Sequence, residues 1–295
     1  MNAAEAGILP VSSGEAFDKL RRDWAARPPR AKFADAAGSP EVATPFGPIY
    51  VLLRGEETGG QLGFYEQFVA AGTGAGPHHQ TTEDEVFYVL EGEWEFQAGA
   101  DIRRCPPGSL IYAPAHATHA FKSVSPGAPG RMLSWNAPAG HERFYVGMGA
   151  ARAAGRDPNE VAHADYHVDF TPQVHVPAPG RPAGKFVDRG AAPVTTSGGN
   201  LSAMLLDMAE TAGRFVVREI DATPGAAPLD TPNPDANRYL FIVAGTWQVA
   251  AGDDRRTIGA GTAVLIPAGM AHRVQLAGDA PGRLLDIAAP IGPRH

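Results

Sequence analysis

One segment of this chain occurs twice at a constant interval. Gly92, Glu93 and Trp94 recur as Gly245, Thr246 and Trp247, each 153 residues later, and the same offset carries Gly99 to Gly252, Gly108 to Gly261, Pro114 to Pro267 and His119 to His272 without a gap. Turn residues and a tryptophan kept at one spacing require the same order of strands and turns in both halves, so a duplicated fold is expected. The ionisable residues are not kept. His78 meets Thr231, Gln80 meets Asn233 and Glu85 meets Arg238, which places the chemistry in the first half.

At 295 residues, each half has enough chain to bury its own core. Hydrophobic residues make up 44% and charged residues 19%, a globular composition, while 35 Gly and 27 Pro demand many turns and oppose a mainly helical protein. A net charge of -7 without a run of like charge argues against nucleic-acid phosphates and anionic membrane surfaces as partners, and toward a small molecule. Residues 1–10 lack a basic, then apolar, leader and no stretch of about 20 apolar residues occurs, so a cytoplasmic location is expected. Cys105 is the single cysteine and lies beside Pro106 and Pro107, which reads as a structural thiol.

Ser13 can cap a short helix with Phe17, Leu20 and Trp24 on one face, expected to pack on a barrel. Short apolar runs then follow at 49–53, 62–69, 86–90, 94–97, 109–113, 119–124 and 132–135, divided by Gly, Pro or charged turns as in an antiparallel sandwich or barrel. Residues 141–154 read as helical, and Asp157 with Pro158 can open a second helix. The proline-rich stretch 172–184 reads as a linker, after which strands are expected at 200–208, 214–220, 239–243, 247–251, 263–266 and 283–287.

In an extended segment His78 and Gln80 share one face and His79 takes the other. Glu85 opens the next strand on the same face as Phe87 and Val89, and so faces an apolar interior. An ionised glutamate there costs several kcal/mol without compensation, and a divalent metal shared with His78 and His119 would supply it. His79 reads as an outward surface histidine, Glu83 and Asp84 as solvated turn residues, and His116 as a group near the barrel mouth. In the second half Arg238 reads as a rim salt-bridge residue and Trp247, like Trp94, as core.

These spacings resemble the two motifs of the cupin superfamily. The first motif is met by Gly72, His78, Gln80, Glu85 and Gly92, the second by Gly108, Pro114, His116, His119 and Ser123, and Pro267 to His272 repeats the second motif. Gln80 replaces the family's second histidine, while His116 and Ser123 replace its glycine and asparagine. The resemblance implies an all-β chain of two jelly-roll (cupin) β-barrels in tandem with a few short helices. The expected division is an arm at 1–40, a metal-bearing barrel at 41–150, a linker at 151–196 and a second barrel at 197–295 whose metal site is degenerate.

The resemblance further implies one divalent transition metal, Fe2+ first and Mn2+, Ni2+, Co2+ or Zn2+ as alternatives, on His78, Glu85 and His119 with Gln80 as a fourth ligand or a contact to substrate or water. Glu85 doubles as the candidate catalytic carboxylate, with Phe87 and His116 as candidate substrate contacts. The stretch from Gly72 to Phe144 is similar to quercetin dioxygenase-like cupins, which implies an oxygenase acting with dioxygen on a small aromatic or polyketide-like enol. A non-redox cupin isomerase or cyclase and a non-catalytic binding bicupin are the alternatives. A homodimer is a further expectation.

Overall fold

The computed structural model describes residues 22–23, 29–156, 166, 168–177, 179–230 and 233–291. Of the helix expected from Ser13 to Trp24 only Arg22 and Asp23 are described, and the second helix start at Asp157 and Thr231 lie outside the described residues. Two compact units result, one containing Ser39–Arg189 and the other Pro28–Gly38 with Gly190–His295.

The second unit includes β1 (Lys32–Ala34). The first contains β2 (Glu41–Thr44), β3 (Gly47–Leu53), the short helix α1 (Gly55–Thr58), β4 (Gly63–Val69), β5 (Gly74–Gln80), β6 (Asp84–Glu91), β7 (Trp94–Ala98), β8 (Asp101–Cys105), β9 (Leu110–Ala113), β10 (His119–Ser123), β11 (Gly130–Ala137), helix α2 (His141–Ala153), β12 (Val168–Phe170) and β13 (Lys185–Val187). The second continues with β14 (Val194–Ser197), β15 (Asn200–Leu206), β16 (Val216–Ala222), β17 (Ala236–Ala244), β18 (Thr246–Ala251), β19 (Asp254–Ile258), β20 (Ala263–Ile266), β21 (His272–Ala277) and β22 (Gly282–Pro290).

Each unit is a jelly roll of two sheets. In the first, the sheets run β13-β9-β6-β11-β4-β3-β2 and β12-β5-β10-β7-β8; in the second, β1-β20-β17-β22-β16-β15-β14 and β19-β18-β21. From β4 to β11 the chain passes repeatedly from one sheet to the other, so β5 and β10 become neighbours while β6 lies in the opposing sheet. The alternating burial of Trp94–Ala98 and Thr246–Ala251 turns one side of each strand into a core. Phe87, Trp94, Phe96, Ile111, Phe121 and Met132 fill the first barrel, and Leu240, Ile242, Trp247, Val264, Val274 and Leu284 the second.

The sequence repeat is visible atom for atom. The Trp94 indole donates to the carbonyl of Glu91 and that of Trp247 to the carbonyl of Ala244, each at 3.0 Å. Gly92 and Gly245 turn with φ of 84° and 81°, the left-handed region that glycine enters without strain. Neither has room for a side chain: a Cβ would sit 2.4 Å from Ser125 Oγ at Gly92 and 2.8 Å from Gly282 Cα at Gly245.

Two stretches expected to lie outside the barrels, the arm and the linker, contribute strands to their sheets. β1 falls in the expected arm, pairs with β20 and packs Phe33 on the second core. β12 and β13 fall in the expected linker and pair with β5 and β9 of the first unit. Edge strands left open expose unsatisfied amides and carbonyls, which these short segments pair. Among the described residues no helix is long and apolar enough to cross a membrane.

Candidate functional site

The jelly-roll crossing converts sequence distance into contact. His119 on β10 is the direct register partner of His78 on β5, and residues so opposed hold their Cβ atoms about 5 Å apart. Their ring centres lie 4.4 Å apart. β6 adds Glu85, and among the described residues His78, Glu85 and His119 bring donor atoms within 4.8 Å of one another. All three are buried, Glu85 and His119 at 1% exposure.

Backbone carbonyls set the imidazole tautomers. His78 Nδ1 donates to Gly76 O at 2.8 Å and His119 Nδ1 to Ala117 O at 3.0 Å. A carbonyl only accepts, so each Nδ1 carries the hydrogen and each Nε2 is left with its lone pair. His119 Nε2 is 3.0 Å from Glu85 Oε2. Two lone pairs at that separation repel unless a cation, proton or metal, lies between them. Two imidazoles and one carboxylate form a donor set suited to a divalent first-row ion, so these residues fit the metal that the motifs imply.

Electrostatics support the same assignment of charge. Burial, then the neighbouring His119, pushes His78 down to about 3, so its ring is neutral. Burial alone would raise the Glu85 carboxyl, but His141 first, then the contact with His119 and the nearby His78, outweigh it and hold the group below the ordinary glutamate range. Glu85 is therefore an anion waiting for a cation. Gln80 Nε2 donates to Glu85 Oε2 at 2.7 Å, and Tyr65 Oη donates to Glu85 Oε1 at 2.5 Å. Tyr65 also meets the Asn136 side chain. A hydroxyl has one proton, so the amide nitrogen of Asn136 has to face Tyr65 for all three groups to be satisfied.

Above this cluster opens a cavity of about 320 Å³ whose wall includes His78, His141, Phe46, Phe121, Tyr145 and Phe170. His141 begins α2. The adjoining Glu142, buried, accepts from the amides of Gly55 and Gly140 at 2.8 Å each and pins that helix start. Burial lowers the His141 imidazole, against the pull of Glu85, so it too is neutral.

Other expected positions fall elsewhere. Phe87 is fully buried behind His119, 5.9 Å between ring centres, and belongs to the core rather than to the cavity wall. His116 is exposed on the turn after β9 and stands 6.5 Å from the His79 ring. His79 is not a surface histidine: it is 8% exposed, covered by segment 168–177. Glu83 and Asp84 are not solvated either. Asp84 is fully buried because it ties the turn after β9, accepting from Ala115 N at 2.8 Å and Tyr112 Oη at 3.0 Å, and pairs with Arg181 at 2.8 Å. Burial drives Glu83 up to about 7. Cys105 is buried, and burial followed by Asp188 pushes its thiol up to about 12, as a structural cysteine requires.

Sequence reasoning passed over Tyr65, His141, Tyr145 and Phe170. His141 stands in a helix, where no strand period links it to Glu85, and Phe170 comes from a stretch that reads as linker.

In the second unit the same place is filled by the protein itself. Arg238, at the position of Glu85, forms two hydrogen bonds with Asp286, at 2.7 and 3.0 Å, and a third to His272 Nε2 at 2.8 Å. It is an interior pair, 14% and 10% exposed, rather than a rim contact.

The cupin-domain family model matches residues 65–136 and 219–288, one match in each unit. The chain is 24% identical over 112 residues to the tetracenomycin polyketide synthase protein TcmJ of Streptomyces glaucescens, covering 38% of this chain and 75% of that protein. Among solved structures it resembles a putative glyoxylate-induced protein of Pseudomonas aeruginosa, with TM-score 0.65, 14% identity, and 92% and 94% of the two chains covered. It also resembles a variant of Bacillus subtilis oxalate decarboxylase, with TM-score 0.63, 14% identity, and 96% and 85% covered. At these identities the structural matches establish architecture alone.

Proposed function

From the premise that this chain is a two-domain cupin, we propose that its first barrel is a metal-dependent oxygenase for a small aromatic or polyketide-like enol. The observation that carries the reading is the cavity of about 320 Å³, walled largely by aromatic side chains and opening on His78 and His141. Such a wall stacks on a planar apolar molecule and excludes water. Among the described residues no lysine or arginine lines it, so a small dianion like oxalate would lose its hydration without a cationic side chain from them in return. The partial likeness to a polyketide synthase protein points to the same substrate class.

His78, Glu85 and His119 would hold the metal, and Gln80 would orient Glu85 through its amide hydrogen bond. A divalent ion there would polarise the substrate oxygen and, as Fe2+, give access to dioxygen chemistry. The chain's own groups do the rest. His141, kept neutral by burial, accepts the proton of the enol hydroxyl, and the apolar wall keeps competing water from the resulting enolate.

The test is dioxygen uptake by the iron-loaded protein across a panel of hydroxylated aromatic polyketides and flavonols, repeated anaerobically. Uptake coupled to substrate loss, abolished by chelation and by His119→Ala, is the expected result. Turnover that continues unchanged without dioxygen, or with Zn2+ as well as with Fe2+, would remove the oxygenase and leave the isomerase or cyclase chemistry of a Lewis-acid site.

A further inference from the structure

We infer a second transition-metal site on the outer face of the first barrel, built from His79, Asp169 and His175 with His116 as the closing ligand. The strand pleat that sends His78 inward sends His79 outward, and there it meets a separate set of donors rather than solvent. β12 lies beside β5 with Asp169 in direct register with His79. This brings Asp169 Oδ2 to 3.6 Å from His79 Nε2, too long for a hydrogen bond. It is close to the roughly 3.3 Å that separates two donors bound about 2.0 Å from one tetrahedral ion.

His175 is held to the same place by its backbone. Its amide donates to Thr118 Oγ1 at 2.8 Å, its carbonyl accepts from Thr118 N at 2.9 Å, and Thr118 Oγ1 also donates to Gln173 O at 3.1 Å. The His79 and His175 ring centres are thereby 4.7 Å apart, against 4.4 Å for the His78 and His119 pair inside. Two imidazoles on one tetrahedral ion place their ring centres about 5 Å apart. His79 is more than nine-tenths buried by residue, yet its Nδ1 makes no hydrogen bond. The ion would sit on Nε2, the nitrogen that faces Asp169, and Nδ1 would carry the ring hydrogen.

His116 supplies an independent sign. It is held at φ 70°, a left-handed conformation that side chains other than glycine seldom adopt, with its amide donating to Gln80 O at 2.7 Å. The second barrel builds the same turn with Gly269 at φ 72°, its amide donating to Asn233 O at 2.9 Å. The turn itself therefore does not need a histidine; the first barrel accepts backbone strain to place an imidazole 6.5 Å from the His79 ring. The outer set is wider than the inner one, because among the described residues only His78, Glu85 and His119 hold all donors within 4.8 Å. Closing it takes rotation of His175 and His116, which their partial and full exposure permits. Imidazoles with one carboxylate select Zn2+, Ni2+ or Cu2+ rather than Ca2+ or Mg2+.

The experiment is a Zn2+ titration of the metal-free full-length chain, repeated with Co2+ to read the intense visible absorption of a tetrahedral site. Two equivalents are expected in the natural protein. His78→Ala/His119→Ala should keep one equivalent, and His175→Ala should keep the other while weakening the lost ion at least about 100-fold, no less than the loss of a mere outer-sphere partner. His116→Ala, on an exposed turn, repeats the test where folding is not at stake and should change the Co2+ spectrum of the outer ion alone. One equivalent in the natural chain that His78→Ala/His119→Ala abolishes, or His175→Ala and His116→Ala both leaving stoichiometry, affinity and spectrum unchanged, would overturn the site. Failure of the inner site would show as loss of the ion removed by His78→Ala/His119→Ala and would leave this result standing.

Discussion

At the scale of single residues, most of what distinguishes this barrel from its duplicate is the management of charge around one carboxylate. Glu85 receives a proton contact from Gln80 at 2.7 Å and another from Tyr65 at 2.5 Å. Gln80→Ala removes the first, and metal affinity should fall about 10–100-fold while Fe2+ stoichiometry stays at the natural value, measured by competition with a chelating dye. The metal-free protein should also show a defined pH dependence. His78, lowered to about 3, and His141 and His79, also lowered, remain neutral in the folded chain while their unfolded counterparts protonate near 6.5. Below that pH the unfolded state binds the extra protons, so stability falls as pH drops from 6.5 toward 3. Glu83, raised to about 7, acts the other way, holding a proton in the folded state that the unfolded glutamate releases above about 4.5. With His272 also lowered and Glu142 also raised, four imidazoles oppose two carboxyls and His78 shows the largest shift, so urea midpoints should climb between about pH 4 and 6.5 and level off near 7. A flat profile across that range would contradict the neutral interior imidazoles.

At the scale of elements, the strands were easier to read than the segments between them. The alternation of Trp94, Phe96 and Ala98, or of Trp247, Val249 and Ala251, announces a half-buried strand because side-chain period and burial period coincide. The His78, Glu85 and His119 trio was legible too, through motif spacing, and the structure brings the three together. What stayed hidden was whatever depends on a neighbour far along the chain. Asp84 looked like a turn residue because nothing near it announces Tyr112 or Arg181, and the three-residue β12 has no periodicity to detect. Arg238 on β17 was likewise placed at the rim, since its partner Asp286 lies 48 residues away on β22 and only the register of those two strands brings them together. Removing one partner leaves an uncompensated interior charge. Arg238→Ala should destabilise the second unit by about 3–5 kcal/mol, whereas Arg238→Met with Asp286→Leu should recover most of that loss, both read by denaturant unfolding.

At the scale of the whole molecule, the duplicated fold is kept in both units while the metal donor set is found in one. Each unit closes over its own apolar core, and only the first presents a donor set for a metal among its described residues. Phe96→Ala should cost about 3–5 kcal/mol and lower metal retention, while Leu240→Ala should cost about 2–5 kcal/mol and leave metal content unchanged, as elemental analysis of the purified variants would report. The second barrel still keeps one trace of the common plan. His272 Nδ1 donates to Met270 O at 2.9 Å, the same two-residue reach that His78 makes to Gly76 and His119 to Ala117. A ring whose proton is assigned by its own main chain has nothing left to choose when an ion arrives. Loading of the first barrel should then require no exchange of imidazole tautomers, as a lock already cut on the day the chain leaves the ribosome.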